Sequence, residues 1–352
     1  MQGQASGARQ TAGSSSGKTS LGTTLGAIAL AVAIAAVAVN FVVPGPKGPI
    51  GPEGLQGTQG IQGTSAQGVW AVVNQNGSLW YGSNVVSSGQ QTTGQYYVLF
   101  DQNVSACSYV ANLGTPYPGG VGVPGWVTVA GLNGSPDGVF VRVTNLAGSA
   151  TNESFDLGVF CAPGLWAVID STGGLVRGSD VVASSHLTTT GQYSIVFNQD
   201  VQNCSFVATL GATGSNGAVG PGVATVAGRT GNPDGVLVAT YNATGGVTDS
   251  SFDVAAVCTS PTWAVIGSSG AAARGSDNGS KAVPGGYSVS FPRYVWNCAY
   301  LASPGVTGSS GYAPAGALTL VGTYNDPDAV FVGPWSLSGS ENAQSFHLVV
   351  LC

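Results

Sequence analysis

The sequence predicts an all-β fold for everything after residue 66, set behind a membrane-spanning helix and a short triple-helical stalk. Three observations carry that expectation. Short segments rich in Val, Tyr, Phe and Thr, punctuated by Gly, Asn and Pro-Asp, recur in three copies from Trp70 onward, and no amphipathic helical period appears among them. Leu21 to Val43 is a run of 23 residues without a charge. Between the two, glycine stands at every third position through Gly45, Gly48, Gly51, Gly54, Gly57, Gly60 and Gly63.

Residues 1–20 are polar and nearly free of apolar side chains, which predicts a disordered tail. The apolar run 21–43 is long enough as a helix to span about 30 Å of hydrocarbon. Gly22 and Gly26 give it a GxxxG face, extended by Ala29, Ala33 and Ala36, on which helices can approach closely. A cleaved signal peptide competes, since Ala36-Val-Ala38 resembles a cleavage site. The run nevertheless continues through Phe41-Val42-Val43 to Pro44, which favours a retained anchor. Arg9 and Lys18 precede the span, so the N terminus is expected inside and the rest of the chain outside.

Residues 44–66 follow as a stalk. Only glycine fits where three chains meet on the axis of a Gly-X-Y triple helix, so this periodicity predicts a homotrimer. Pro46, Pro49 and Pro52 stiffen the membrane end, and the seven triplets would extend roughly 60 Å at about 3.1 Å per residue. An extended Gly/Pro linker in a monomer is the plainer alternative.

The repeats are expected at 67–162, 163–260 and 261–352. Each opens on Trp-Ala-Val, at Trp70, Trp166 and Trp263, and closes on a cysteine, at Cys161, Cys258 and Cys352. Tyr96, Val98 and Phe100 alternate with polar or outward neighbours, as do Tyr193, Ile195, Phe197 and Tyr287, Val289, Phe291, which predicts one core face on that strand. Six or seven strands per copy fit a β-sandwich or jelly-roll-like domain, and each copy is long enough to bury its own core. The expected arrangement is a string of beads with the third repeat distal.

Two cysteines fall in each repeat at a constant separation of 54 residues. In a chain that reads as exported, repeat symmetry selects Cys107 with Cys161, Cys204 with Cys258, and Cys298 with Cys352 as disulfides. No CxxC pair or repeated histidine supports zinc.

Catalytic chemistry is not apparent. Charged residues make up only 7% of the 352, against 56 glycines, a composition unlike a cytosolic enzyme. From Trp70 on, six cationic side chains face fourteen carboxylates, a net of −8 that disfavours nucleic acid. His186, in a Ser/Thr-rich stretch, and His347, which stands where the sister repeats have Asp156 and Asp253, do not recur and are expected to be solvent-facing. Asp137, Asp234 and Asp328 follow proline at what reads as a turn, with calcium through these and Asp180 and Asp277 as the alternative. No metal or other cofactor is expected. Sequons at Asn76, Asn103, Asn242 and Asn278 matter only in a glycosylating host.

Aromatic residues confined to one copy are where binding specificity would lie, because stacking and amphipathic contact need such side chains. Tyr294, Trp296, Tyr312 and Trp335 of the third copy are the candidate ligand-binding residues, with packing at a trimer interface as the alternative.

The order of parts, carried by Gly45 to Ser65 between an apolar anchor and β-rich repeats, resembles bacterial and phage collagen-like surface proteins. It is similar to the spikes of membrane-containing bacteriophages, in which a collagen-like segment joins a shaft to a receptor-binding head. That resemblance implies attachment to a cell, glycan or protein receptor and supplies no site residues. It does not reach the repeats themselves. The alternatives are a structural coat component without a receptor and a secreted carbohydrate-active enzyme, the latter disfavoured because no carboxylate pair recurs.

Overall fold

The computed structural model describes residues 68–352 apart from 121, 216, 218, 260, 261 and 278. The expected tail, membrane span and stalk, with all seven periodic glycines, lie outside the described residues. Among those described, no helix is long and apolar enough to cross a membrane.

Each repeat has eight strands, one or two more than the turn signals predict. In the first these are β1 (Val69–Val73), β2 (Leu79–Ser83), β3 (Val85–Thr92), β4 (Gln95–Phe100), β5 (Ser108–Thr115), β6 (Gly125–Gly131), β7 (Gly138–Asn145) and β8 (Phe155–Phe160). The second repeats the pattern from β9 (Leu165–Ile169) to β16 (Phe252–Val257), and the third from β17 (Thr262–Ile266) to β24 (Phe346–Leu351). The extra strand comes from a break in one extended stretch: Asn84 (φ 62°) and Asp180 (φ 60°) are left-handed, turning the chain from one sheet to the other. Asn and Asp tolerate that conformation better than other non-glycine residues. This accounts for the recurring Asn84 and Asp180 without calcium.

Four strands make an inner sheet in the order β2-β1-β8-β5 and four an outer sheet in the order β3-β4-β7-β6, and the other repeats copy this. The alternating strand behaves as expected: Tyr96, Val98 and Phe100 are buried in the first sandwich, as are their counterparts in the other two. All three disulfides form as repeat symmetry predicts, Cys107–Cys161, Cys204–Cys258 and Cys298–Cys352. Each ties the start of β5 or its counterpart to the end of the neighbouring last strand and closes a loop of a size that contributes about 4 kcal/mol in the chain-entropy model.

The repeats are not beads on a string. Because β1 and β8 are antiparallel neighbours with Val69 opposite Val159, a repeat begins and ends at the same edge. The short connection from Phe160 to Leu165 then sets the next repeat beside the first rather than beyond it. The three inner sheets face one another around a common axis, and the described residues form one compact unit. Val69–Val73 is therefore buried on both faces: Val69, Ala71 and Val73 enter the first sandwich's core, and Trp70 and Val72 enter a fourth, central core. That is why Trp-Ala-Val reads as a continuous apolar run. Trp70, Trp166 and Trp263 meet in this central core with Val110, Val207 and Leu301. Where the second and third repeats place Ala255 and Val349, the first has Gly158, and a Cβ there would lie 2.5 Å from Leu301 Cδ1.

Three seams close the ring, each built from equivalent residues. Gly114, Gly211 and Gly305 bridge in parallel to Leu320, Val129 and Val226 of the neighbouring repeat. The amide of Tyr109 donates to Asp253 Oδ1 (2.8 Å), that of Phe206 to His347 Nδ1 (2.9 Å) and that of Tyr300 to Asp156 Oδ1 (3.1 Å). Thr209 bonds both backbone groups of Ala111, Ser303 both of Ala208, and Asn112 both of Ala302. The pattern is cyclic, so each repeat donates to one neighbour and receives from the other. His347 is thus fully buried, contrary to the exposed position expected of it. Its counterparts Asp156 and Asp253 are buried as well, which the substitution pattern alone does not disclose.

Candidate functional site

The three seams are alike in backbone and unlike in side chain. At the seam of the first and second repeats, Arg177 donates through Nε to Cys107 O (2.8 Å) and through Nη1 to Thr213 O (2.7 Å), with its guanidinium 5.5 Å from the Tyr109 ring. Arg274 repeats this at the second and third, from Nε to Cys204 O (3.1 Å) and from Nη1 to Thr307 O. At the seam of the third and first repeats the equivalent residue is Tyr81.

The buried titratable groups follow that difference. Burial pushes Asp253 up, and nearby Arg177 limits the rise, leaving it at about 7. Burial and then the charge of Arg274 hold His347 down at about 3, so it is neutral, accepting at Nδ1 and donating from Nε2 to Val306 O (3.1 Å). Asp156, fully buried, is raised well above the carboxylate range by desolvation, opposed only by the Tyr300 amide.

With no arginine to seat, the third-first seam carries aromatic rings. Among the described residues the exposed aromatics are Trp80, Tyr117, Tyr294 and Tyr324, and all four lie here. The Trp80 and Tyr117 rings meet at 4.8 Å, edge to face. The loop after β5 then crosses to the third repeat: the Gly119 amide donates to Gly322 O (2.9 Å), and a Cβ on Gly119 would lie 2.8 Å from the Tyr324 side chain. Trp296 fills the space beneath with Tyr81 and Tyr300, its Nε1 donating to Thr323 O and Asp326 O (3.1 Å each), and Tyr294 stands 6.2 Å from its ring. In the other copies the positions of Trp80 are Val176 and Ala273, and those of Trp296 are Ser105 and Gln202.

Beside Tyr117 a groove of about 380 Å³ opens on the first repeat. Its walls are the turn Asn74-Gln75-Asn76 and the segment Glu153-Ser154. The turn is fixed from several sides: Ser154 Oγ accepts the Gln75 amide (3.0 Å), Asn76 Oδ1 accepts the Ser78 amide (3.0 Å), and the Tyr96 hydroxyl donates to Gln75 O (2.9 Å). Among the described residues, none bonds the Gln75 side-chain amide, Asn76 Nδ2 or the Glu153 carboxylate. Partial burial raises the Glu153 pKa.

Of the four residues predicted for ligand contact, Tyr294 and Trp296 belong to this surface and the other two do not. Trp335 sits at the far end of its sheet, Nε1 bonded to Thr319 Oγ1 (2.9 Å), and half-buried Tyr312 lies beside Tyr241 of the second repeat. The sequence reading missed Trp80, Tyr117, Tyr324 and Glu153. Comparing the first copy as closely as the third would have flagged Trp80 and Glu153, since neither recurs. That they join third-copy residues could not be read from a string of beads.

Elsewhere, His186 ends a strand rather than a loop and pairs with Asp249 at 2.7 Å on the surface. Asp137 accepts from Ser135 Oγ (2.7 Å) within its turn. Among the described residues no three His, Cys, Asp or Glu side chains converge as a metal set. On the axis, a cavity of about 40 Å³ is ringed by groups already bonded across the seams. No family model, curated protein or solved structure matches the chain.

Proposed function

We propose that this chain is a homotrimeric, membrane-anchored surface spike, held by residues 21–43, spaced by the Gly-X-Y stalk and attaching through the aromatic seam of its β-rich head to a cell, glycan or protein receptor. The observation that carries the reading is the confinement of every exposed aromatic among the described residues to one of three otherwise equivalent seams. Selection for packing alone would treat the seams alike. A ring that leaves Trp80, Tyr117, Tyr294 and Tyr324 in water at one place has the composition of a recognition surface.

Each chain already closes its own three-part ring, so the head needs no further chains to bury its apolar faces. Trimerisation would then rest on residues 21–66. Binding rather than hydrolysis is favoured because the groove offers the single carboxylate of Glu153, whereas glycoside hydrolysis ordinarily takes two. Light scattering on the detergent-extracted chain tests the assembly: three chains are expected, falling to one when residues 45–65 are deleted. A full-length monomer would overturn the trimeric spike. Loss of cell binding on combining Trp80→Ala with Tyr294→Ala is expected for the attachment surface, and unchanged binding would remove the seam from that role.

A further inference from the structure

We infer that the groove between Tyr117 and Glu153 is a binding site for a neutral saccharide, with Trp80 extending it along the seam. The inference deepens the attachment reading by naming the ligand class, and rests on that reading only for its biological setting. Its basis is the combination of groups. A pyranose ring presents a face of C–H bonds and a rim of hydroxyls, and it is held where an aromatic face meets planar amides and a carboxylate. The first needs only a ring in water, the others accept from and donate to adjacent hydroxyls. Here Tyr117 supplies the ring, with Trp80 4.8 Å away. The Gln75 amide, Asn76 Nδ2 and the Glu153 carboxylate are the unclaimed polar groups opposite.

Rigidity supports the same conclusion. Bonds to Ser154 and Tyr96 hold the Gln75 backbone and a bond from Ser78 holds the Asn76 side chain before any ligand arrives, which limits the ordering cost of binding. A volume of about 380 Å³ lies within the small-molecule range. Glu153 is itself acidic, no cationic side chain lines the groove and the repeats carry net negative charge, so a sialylated or sulfated glycan meets repulsion while a neutral one does not. All of these residues are specific to the first copy: the positions of Gln75 are Ser171 and Ser268, and those of Glu153 are Ser250 and Gln344.

The test is a glycan array probed with the detergent-solubilised full chain, holding neutral hexose, N-acetylhexosamine and fucosylated oligosaccharides beside sialylated and sulfated ones. Signal on neutral glycans is expected, weakened at least about tenfold by Tyr117→Ala and by the isosteric Glu153→Gln and left unchanged by Trp335→Ala. Silence on every neutral glycan, signal on anionic glycans alone, or full binding by both groove variants would overturn the inference. The same preparations applied to intact bacterial cells separate it from the attachment reading. Cells that bind while all neutral glycans stay silent refute the saccharide site and leave the spike standing. Neutral glycans bound without any cell attachment do the reverse.

Discussion

The seam between the first and second repeats and the seam between the third and first share a parallel bridge, at Gly211 and Gly114, and an amide donating to a buried carboxyl, and they part company at Arg177 against Tyr81. Where arginine is present, its guanidinium occupies the seam and binds backbone carbonyls of both repeats, and the surface above, with Gly131, Leu132, Pro136 and Ser215, carries no exposed aromatic ring among the described residues. Where tyrosine replaces it, aromatic rings spread outward and remain partly in water. A threefold design thus fixes the frame, and departures from it mark where selection acted on something besides packing. The teaching is that internal symmetry supplies its own control: each unusual residue has two equivalents that show what stability alone requires.

The largest expected effect comes from breaking what the seams share. In Gly114→Val the new Cβ would stand 2.5 Å from Leu320 O, a backbone atom, so the third-first seam must open. A loss of more than about 3 kcal/mol is expected, read as a lowered urea midpoint with the two outer repeats still disulfide-bonded. Equal stability to the parent would show that the parallel bridge does not hold the ring.

Next is the arginine itself. Arg177→Met leaves Asp253 buried without its nearby cation, and an uncompensated buried carboxylate is expected to cost about 3 kcal/mol when charged. Since Asp253 titrates at about 7, the deficit is expected in full at pH 8 and reduced at pH 5, where the carboxyl is protonated in either protein. Tyr81→Ala, at the matching position, is expected to cost less and to show no such pH dependence. A pH-independent loss in Arg177→Met would mean that only its packing and carbonyl bonds matter.

How much of this was legible in the chain depends on sequence distance. The repeats, the disulfide pairs and the core face of Tyr96, Val98 and Phe100 were, because each is signalled by local alternation or by a constant interval. The ring was not, since it rests on contacts such as Tyr109 with Asp253 and Asn112 with Ala302, 144 and 190 residues apart. The same gap explains His347: an Asp-to-His change reads as tolerance at a surface unless one knows that the position accepts a backbone amide from another repeat. It also explains the site, for Tyr294 and Trp296 were visible as oddities of one copy, whereas their meeting with Trp80 and Tyr117 required closure.

Acid exposes the second-third seam by its own signature. The folded pKa of His347 is about 3 and its unfolded value about 6.5, so below pH 6.5 the unfolded chain takes up the proton first. The stability it contributes is whole above 6.5 and is lost as pH falls toward 3, at most on the order of 5 kcal/mol. Protonation would remove the Nδ1 acceptor from the Phe206 amide and place a cation near Arg274. His347→Asn is expected to flatten the acid limb of a plot of urea midpoint against pH from 7 to 4. An unchanged limb would place the acid sensitivity elsewhere.

The smallest effects are expected from Asp156→Asn and Asp253→Asn, and they sharpen the comparison because burial raises both carboxyls while only Asp253 has a nearby arginine to limit the rise. Asp156 has its folded pKa raised, so the folded state holds more protons than the unfolded one above the unfolded value of about 3.8, and stability falls as pH rises through that window. Asparagine keeps an Oδ1 acceptor for the Tyr300 amide and removes the titration. Near pH 4 the variant is expected to match the parent within about 0.5 kcal/mol, and at pH 8 to exceed it. Asp253 is also raised, to about 7, so its charge costs stability above the unfolded value of about 3.8, and Asp253→Asn is expected to exceed the parent at pH 8 as well, by less than Asp156→Asn because Arg177 offsets part of the desolvation. Melting both variants at the two pH values decides it: losses at pH 8 would mean that the seams rely on charged carboxylates, and a gain no larger for Asp156→Asn than for Asp253→Asn would mean that Arg177 does not set the two seams apart.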